Sequence, residues 1–281
     1  MNISRTLSNL IREFIQKEYA EKSDSMEIYD EPHRLGNESS LLKTVREGLT
    51  PALYVGHATD FGRMQQEQIA ECFATVPDLP LGDSLINLGF KDSKRYFHPF
   101  TVIPFAVIYN KNLVKEELPK RWEDLHSTAY RGKIRLPDLE RTISKVIVGA
   151  KKMKYPATCE QFFANCYFKG SPIDVVNSVD EGEYRFGMVN VAFSRFSRQK
   201  NTAILWMEDG AFCMPQVIAI GKGKYEKVSK IVDYIFSEEI QQFFALQGFI
   251  PAVSGEVPAI LHQDDLKLIW NGWDEFIRST V

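Results

Sequence analysis

Short apolar runs of strand length alternate along this chain with stretches whose apolar residues recur at helical spacing. The strongest run is residues 102–110, Val-Ile-Pro-Phe-Ala-Val-Ile-Tyr-Asn, which is far shorter than the roughly 20 apolar residues that a membrane-spanning helix needs. Further strands are predicted at 26–30, 51–56, 132–138, 187–193 and 214–220. This alternation predicts an α/β fold built from βαβ units around a mostly parallel sheet.

Helices are predicted where apolar residues recur every three or four positions, at residues 7–15, 39–46, 122–125, 228–236 and 268–277. Ser4 is a suitable N-cap for the first of them, because its hydroxyl can accept a hydrogen bond from the first turn. Asp264 and Asp265 would lie near the N-terminus of the last helix, where the helix dipole favours negative charge.

Charge and cysteine content exclude several classes of protein. The 34 basic and 37 acidic residues give a net charge of −3, so the basic excess typical of nucleic-acid binding is missing. Cys72, Cys159, Cys166 and Cys213 form no CxxC and have no histidine at zinc-ligand spacing, so neither a metal site nor a structural disulfide is expected. No basic segment followed by an apolar stretch marks a signal peptide. We therefore expect a cytoplasmic protein, or a periplasmic or extracellular one if a preceding segment is missing.

Sequence motifs that would indicate catalysis are absent. The chain has no GxSxG, no phosphate-binding loop, no GxGxxG after a strand and no HExxH. Its five histidines are scattered, without a carboxylate at fixed spacing. We therefore expect a protein that is not an enzyme and that needs no cofactor.

Several short stretches stand in a characteristic order. The central ones are Ile108-Tyr109-Asn110, Leu118-Pro119, Trp122-Glu123-Asp124-Leu125 and the run from Tyr130 to Asp138. The later ones are Glu208-Asp209-Gly210-Ala211, the run from Ile235 to Phe244, and Gly248-Phe249-Ile250-Pro251-Ala252. Together they resemble type II periplasmic solute-binding proteins of ABC importers, over about residues 40–255. Within that superfamily they are most similar to the iron(III), thiamine and polyamine cluster.

The resemblance implies two α/β lobes joined by two hinge strands, at 104–110 and 214–220. Lobe I would comprise residues 1–103 plus 215–281, and lobe II residues 104–214. It also implies a mechanism without covalent chemistry, in which the two lobes close over a small anionic or polyfunctional ligand. The expected partners are that small-molecule ligand and an ABC permease.

Two features depart from the resembling family. Its members begin with a strand whose following loop helps to build the ligand site, whereas here the first predicted helix starts almost at Met1. Ferric binders of the group carry adjacent tyrosines just after the strand that corresponds to residues 187–191, and this chain has Ala192 and Phe193 there. Because these two side chains offer no oxygen ligand, a tandem-tyrosine iron site is not expected.

Polar residues at predicted strand ends are the candidate ligand-binding residues, because ligands of open α/β sheets bind beyond the carboxyl ends of the strands. Arg141 and Thr142 stand at the start of a helix, where unpaired N–H groups and a guanidinium suit a carboxylate or phosphate. The complete set is His57, Thr59, Asp60, Tyr96, His98, Arg141, Thr142, Ser144, Ser194, Arg195, Glu208 and Asp209.

Structural interpretations of these residues stay open. Thr142 or Ser144 can cap a helix, Asp209 with Gly210 can form a turn, and Arg195 can belong to a solvated cluster. Two other functions also stay open for the whole chain. One is a cytoplasmic ligand sensor or orphan homologue with an altered cleft, and the other is an enzyme that recruited the same fold.

Overall fold

The computed structural model describes residues 1, 3–19, 26–29, 40–115, 117–253 and 267–280. The α-helices in these ranges are α1 Arg5–Tyr19, α2 Ser40–Arg46, α3 Gln66–Cys72, α4 Asp83–Asn87, α5 Thr142–Lys154, α6 Cys159–Asn165, α7 Pro172–Asp180, α8 Tyr225–Ile235, α9 Glu238–Gln247 and α10 Trp273–Ser279. The strands are β1 Leu53–His57, β2 His98–Asn110, β3 Ile134–Leu136, β4 Cys166–Phe168, β5 Phe186–Asn190, β6 Thr202–Leu205, β7 Ala211–Ile220, β8 Ile250–Pro251 and β9 Leu268–Ile269. Segments of 3-10 helix lie at Ala58–Phe61, Asp124–His126, Thr128–Tyr130 and Val191–Phe196.

The chain forms two units and passes between them within β2 and β7. Unit 1 is built from the described residues within 1–102, 215–246 and 250–256. Unit 2 is built from those within 103–214, 247–249 and 257–281. The crossings at 102–103 and 214–215 therefore fall inside long, almost fully buried strands.

The C-terminal helix belongs to unit 2, whereas the sequence-based division assigned residues 215–281 to lobe I. Helix α10 packs against α5. The two helices approach so closely that a Cβ atom on Gly149 would lie 2.1 Å from the backbone oxygen of Ser279. The assignment of α10 to unit 2 depends on this contact between distant parts of the chain, which cannot be predicted from a local sequence pattern.

Unit 1 is organised around an antiparallel sheet and an aromatic core. Residues 216–220 of β7 pair with β1, and β8 pairs with β2 near Thr101. The ring of Phe61 lies 4.5 Å from that of Phe97 and 5.0 Å from that of Tyr54. Full burial of one such aromatic side chain contributes about 1.5–3 kcal/mol to folding.

Unit 2 contains a mixed sheet with a parallel centre. Strand β3 pairs parallel with β4 on one side and with β5 on the other, whereas β5 and β6 pair antiparallel with β2. Strand β9 pairs parallel with β7. The prediction of a mostly parallel sheet is therefore wrong. Alternating strands and helices reveal which elements follow one another, whereas the direction of pairing depends on partners far along the chain.

Some predicted elements differ from those observed. Residues 26–29 form no strand, and Asp30 lies outside the described residues. The helical signal around Trp122 corresponds only to the 3-10 segment Asp124–His126. The predicted last helix is split into β9 and α10 because Gly272, at φ 90°, adopts a conformation that interrupts a helix. Asp264 and Asp265 lie outside the described residues.

The first helix agrees with its prediction. Ser4 accepts a hydrogen bond from the Leu7 N–H at 3.3 Å, so it caps α1 as predicted. Among the described residues before β1, the regular elements are the helices α1 and α2. No helix within the described ranges is long and apolar enough to cross a membrane.

Candidate functional site

The carboxyl ends of the parallel strands β4, β3 and β5 lie side by side at one edge of the sheet in unit 2. The loops after β3 and β4 are tied together there. The Asp138 N–H donates to the Gly170 carbonyl at 2.9 Å, and the Gly170 N–H donates to the Asp138 carboxylate at 2.9 Å. Helices α5 and α7 begin at the same edge. Edges of this kind bind ligands in open α/β sheets.

Helix α5 begins at this edge without a side-chain cap. Its N-cap residue is Arg141, whose side chain accepts no hydrogen bond from the first turn. The N–H groups of a first helical turn have no partner within the helix and carry a partial positive charge. Ser144 is fully buried and donates to the Pro137 carbonyl at 2.8 Å, so its hydroxyl is used internally. Thr142 is half-buried beside the helix start.

The Arg141 side chain has neither a hydrogen bond nor an ion pair with a described residue. Its Nε atom is buried, and none of the described residues supplies it with a hydrogen-bond acceptor. A buried donor without an acceptor costs about 1–3 kcal/mol. Since Nε is closed to solvent, an anionic oxygen would reach this guanidinium through its outer Nη groups.

The carboxylates near Arg141 accept hydrogen bonds from other donors. Asp174 closes a capping box at the start of α7, accepting from the Ser171 N–H at 2.7 Å and from the Ser171 hydroxyl at 2.8 Å. These hydrogen bonds outweigh partial burial and, together with the charges of Arg135 and Arg141, lower the pKa of the Asp174 carboxyl. Asp138 accepts from the Gly170 N–H, as described above. Neither carboxylate pairs directly with Arg141.

Arg135 is a second guanidinium near this edge, and sequence reasoning missed it. It lies 5.2 Å from the ring centroid of Tyr184 and 5.9 Å from that of Tyr167, and it pairs with Glu183 at 3.7 Å. Tyr167 comes from β4, which has three residues and is too short to show an alternating pattern. The Ser-Pro-Ile-Asp capping box at 171–174 is the signal that could have located this strand end.

Ser194 and Arg195 lie in the 3-10 segment that follows β5. The Asn190 side chain caps this segment by accepting from the Phe193 N–H at 3.3 Å. The Ser194 hydroxyl donates to the Val191 carbonyl at 2.7 Å. Arg195 is exposed, and its side chain has no hydrogen bond or ion pair with a described residue. This strand end therefore offers a free cation at the same edge as α5.

Glu208 and Asp209 lie in the turn that leads into β7. The Asp209 carboxylate accepts from the Trp122 N–H at 3.2 Å and from the Tyr155 hydroxyl at 2.6 Å. It also lies 3.5 Å from Nζ of Lys154. These contacts occupy its oxygens within unit 2, whereas Glu208 is exposed.

The C-terminal part of α5 carries a fully buried lysine, Lys151. Its Nζ donates to the Trp122 carbonyl at 2.8 Å and lies 2.9 Å from Nε2 of His126. The rings of Phe162 and Tyr155 lie 4.2 and 4.8 Å from it. Within the described ranges no carboxylate pairs with this amine. Burial lowers the pKa of Lys151 to about 7, and burial together with the lysine charge lowers the pKa of His126 to about 4.

In unit 1, the candidates His57, Thr59 and Asp60 lie at the end of β1 and in the 3-10 segment that follows. All three are half-buried. The Tyr54 hydroxyl lies 3.1 Å from the His57 carbonyl oxygen and donates to the Asp60 carboxylate. These residues form a polar cluster at the carboxyl end of that strand.

Tyr96 and His98 lie elsewhere in unit 1, just before and at the start of β2. His98 is buried, with Nε2 3.0 Å from the Pro80 carbonyl oxygen and its ring edge-on to Phe236 at 5.3 Å. Burial lowers the pKa of His98. Tyr96 is half-buried, and its N–H donates to Asp92 at 2.9 Å. His98 therefore contributes to packing in this structure.

The predicted residues thus fall into separate groups. The start of α5 and the end of β5 share one sheet edge in unit 2, while the turn at 208–209 is held to the other end of α5 through Tyr155. Nowhere in the described part of the chain do three His, Cys, Asp or Glu side chains gather as a metal site would require. The four cysteines are free thiols.

A family model described as bacterial extracellular solute-binding protein matches residues 54–279 of the chain. Comparison with curated protein sequences finds no significant match.

Solved structures resemble this fold over nearly its whole length. Apo ferric ion-binding protein A of Pasteurella haemolytica has a TM-score of 0.78 at 16% identity, covering 99% of this chain and 92% of that one. The Trichodesmium protein IdiA (FutA), in complex with iron and citrate, has a TM-score of 0.75 at 16% identity, covering 99% and 93%. A two-component system protein described as mediating signal transduction has a TM-score of 0.71 at 17% identity, covering 98% and 97%. At these identities the likeness shows the fold.

Proposed function

Because this chain belongs to the bacterial extracellular solute-binding proteins, we propose that it binds a small anionic solute at the N-terminus of α5, with Arg141 as the principal contact. The resemblance recognised in the sequence is confirmed by the family match, and the fold class by the structural neighbours. The family consists of binding proteins of the ABC-importer type. The observation that carries the proposal is the Arg141 guanidinium at this helix start, which has no hydrogen bond or ion pair with any described residue.

The chemistry of this helix start favours an anion for two reasons. The first-turn N–H groups and the helix dipole attract negative charge, typically by about 0.3–1 kcal/mol at an exposed site. A guanidinium adds charge-assisted hydrogen bonds to a carboxylate or phosphate in planar, bidentate geometry. The half-buried Thr142 hydroxyl supplies a further donor beside the same helix start. Arg195, at the neighbouring strand end, adds a second cation that has no hydrogen bond or ion pair with a described residue.

An anion suits these residues better than the ferric ion named for some structural neighbours. Ala192 and Phe193 follow β5 where ferric binders of the resembling group have adjacent tyrosines. Neither side chain provides an oxygen ligand. The free side chains at this edge are cations, which repel a metal ion and attract carboxylates and phosphates.

Binding of anions to purified protein tests the proposal. Phosphate, citrate and acidic amino acids are screened by thermal shift, and hits are measured by calorimetry. A ligand at a hundredfold excess over Kd stabilises the folded state by about 2.7 kcal/mol, which raises the Tm by about 5 °C or more in a chain of this size. Arg141→Ala is expected to abolish the shift. The matched control is Arg131→Ala, because Arg131 is an exposed arginine of the same unit. A shift that survives in Arg141→Ala at full size contradicts the proposed site.

Transport is the biological setting that follows from the family. An ABC permease would receive the solute, and the proposed place of action is outside the cytoplasm, because the family is described as extracellular. The alternative of a cytoplasmic protein finds no support in this comparison. Closure of two lobes, which the resemblance implies, is tested by small-angle scattering. The radius of gyration should fall when the solute saturates the protein.

A sensory role is the second candidate. The similarity to a two-component system protein favours it. The two roles are separated by reconstituting the protein with an ABC importer from the same organism. Stimulation of the importer ATPase by the loaded protein supports transport, and its absence favours a sensor.

A further inference from the structure

The 3-10 segment after β5 presents aromatic rings rather than polar groups. The rings of Phe193 and Phe196 lie 6.1 Å apart between centroids, at an interplanar angle of 40°. Phe196 is 54% exposed, although it stands at the carboxyl end of a central strand. An exposed phenyl ring at such an edge leaves apolar surface in water, and a bound apolar group would cover that surface.

The polar side chains in and next to this segment form hydrogen bonds with its own backbone. The Asn190 side chain and the Ser194 hydroxyl both make hydrogen bonds within the turn, as described above. Arg195 is the exception, being exposed and unpaired with any described residue. This strand end therefore offers a ligand two phenyl rings and one guanidinium.

The chain after the segment is held in place by a buried carboxylate. Asp180 accepts hydrogen bonds from the Ser197 hydroxyl at 2.6 Å, from the Gln199 N–H at 2.6 Å and from the Asn201 N–H at 2.9 Å. These bonds outweigh burial and lower the pKa of Asp180, so it stays ionised and holds the loop at neutral pH. Phe196 is thus exposed on anchored chain, and little conformational entropy would be lost when a ligand covers it.

We infer that the solute carries a planar apolar group beside its anionic group, and that Phe193 and Phe196 bind the planar group. The inference rests on the proposed function, because β5 and β3 end at the same sheet edge from which Arg141 starts α5. Aromatic rings prefer offset or edge-to-face contact with another planar group. The guanidiniums of Arg141 and Arg195 then hold the anionic group.

The test compares phosphate with phenyl phosphate by isothermal titration calorimetry. The two probes share a phosphoryl head group and differ in the ring. Phenyl phosphate is expected to bind about tenfold more tightly, the factor that corresponds to a ring contact of about 1.4 kcal/mol. Phe196→Ala should remove this advantage and leave the Kd of phosphate unchanged. The control is Leu246→Ala, which truncates a residue of unit 1 that is 64% exposed and should alter neither Kd.

The outcomes separate the two proposals. If wild-type protein binds both probes with equal Kd, and Arg141→Ala weakens both, the anion site stands and the aromatic inference fails. The inference also fails if Phe196→Ala weakens both probes equally or neither. If neither probe binds at millimolar concentration, the anion site and the inference built on it are both wrong. The comparison of the two probes on wild-type protein needs no variant, so it decides the inference even if Phe196→Ala folds poorly.

Discussion

Replacement of the buried Lys151 by methionine should change how the stability of this protein depends on pH. Methionine has a similar length, fits among the aromatic rings around Nζ, and carries no proton to titrate. The folded lysine has a pKa lowered to about 7 by burial, against 10.5 in the unfolded chain. Between these values the unfolded chain holds one more proton than the folded one, so stability rises with pH in the wild type.

The size of the effect follows from the two pKa values. At pH 7 the unfolded lysine is fully charged and the folded one is half charged, and at pH 9 the folded one is neutral. Integrated over this window, the lysine makes unfolding about 2 kcal/mol more costly at pH 9 than at pH 7. We end the window at pH 9 because of two cysteines. Burial raises the pKa of Cys166 and Cys213 above their unfolded value of 9.0. At higher pH these thiols ionise in the unfolded chain but not in the folded one, which lowers the stability of the folded state. His126 titrates below the window.

Urea unfolding at pH 7, 8 and 9, followed by tryptophan fluorescence, measures the effect. The signal reports on unit 2, which contains all of the tryptophans, namely Trp122, Trp206, Trp270 and Trp273. The free energy of unfolding of the wild type minus that of Lys151→Met should rise by about 2 kcal/mol across the window. Lys152→Met is the matched control, because Lys152 is the exposed neighbour on the same helix. A wild-type minus Lys151→Met difference that stays constant from pH 7 to 9 would refute the reasoning.

Two further predictions concern packing and metal binding. Gly149→Ala should destabilise the protein by about 1–3 kcal/mol in urea unfolding, because the added Cβ would lie 2.1 Å from the Ser279 backbone oxygen. This overpacking outweighs the usual gain from alanine in a helix. An increase in stability would contradict the α5–α10 packing. Ferric citrate should produce no intense visible charge-transfer band, because Ala192 and Phe193 provide no phenolate ligand, and a band that disappears when a tyrosine is mutated would show this to be wrong.

Features that depend on local pattern were predictable from the sequence. Helix α1 with its Ser4 cap, the amphipathic α8, and the long strands β2 and β7 lie where the periodicity predicts them. The placement of Arg141 at the start of a helix was also predictable, because it follows a predicted strand at the point where a helix is expected in an alternating chain. Periodicity records which side of an element is buried, and that information lies within a few neighbouring residues.

Only the tertiary structure decided which groups remain free for a ligand. Arg141 and Asp209 are equally polar in the sequence, yet Arg141 has no hydrogen bond or ion pair with a described residue, whereas Asp209 accepts hydrogen bonds from Trp122 and Tyr155. In the sequence, Lys151 is indistinguishable from an ordinary lysine on a helix. It is buried because residues of other segments, among them Trp122 and Phe162, pack around its amine. Such contacts join positions far apart in the chain, and a local sequence pattern does not show which distant residues come close in space. The sequence by itself therefore determined several of the elements and the family, and long-range packing determined which charged side chains of the candidate site have no partner among the described residues.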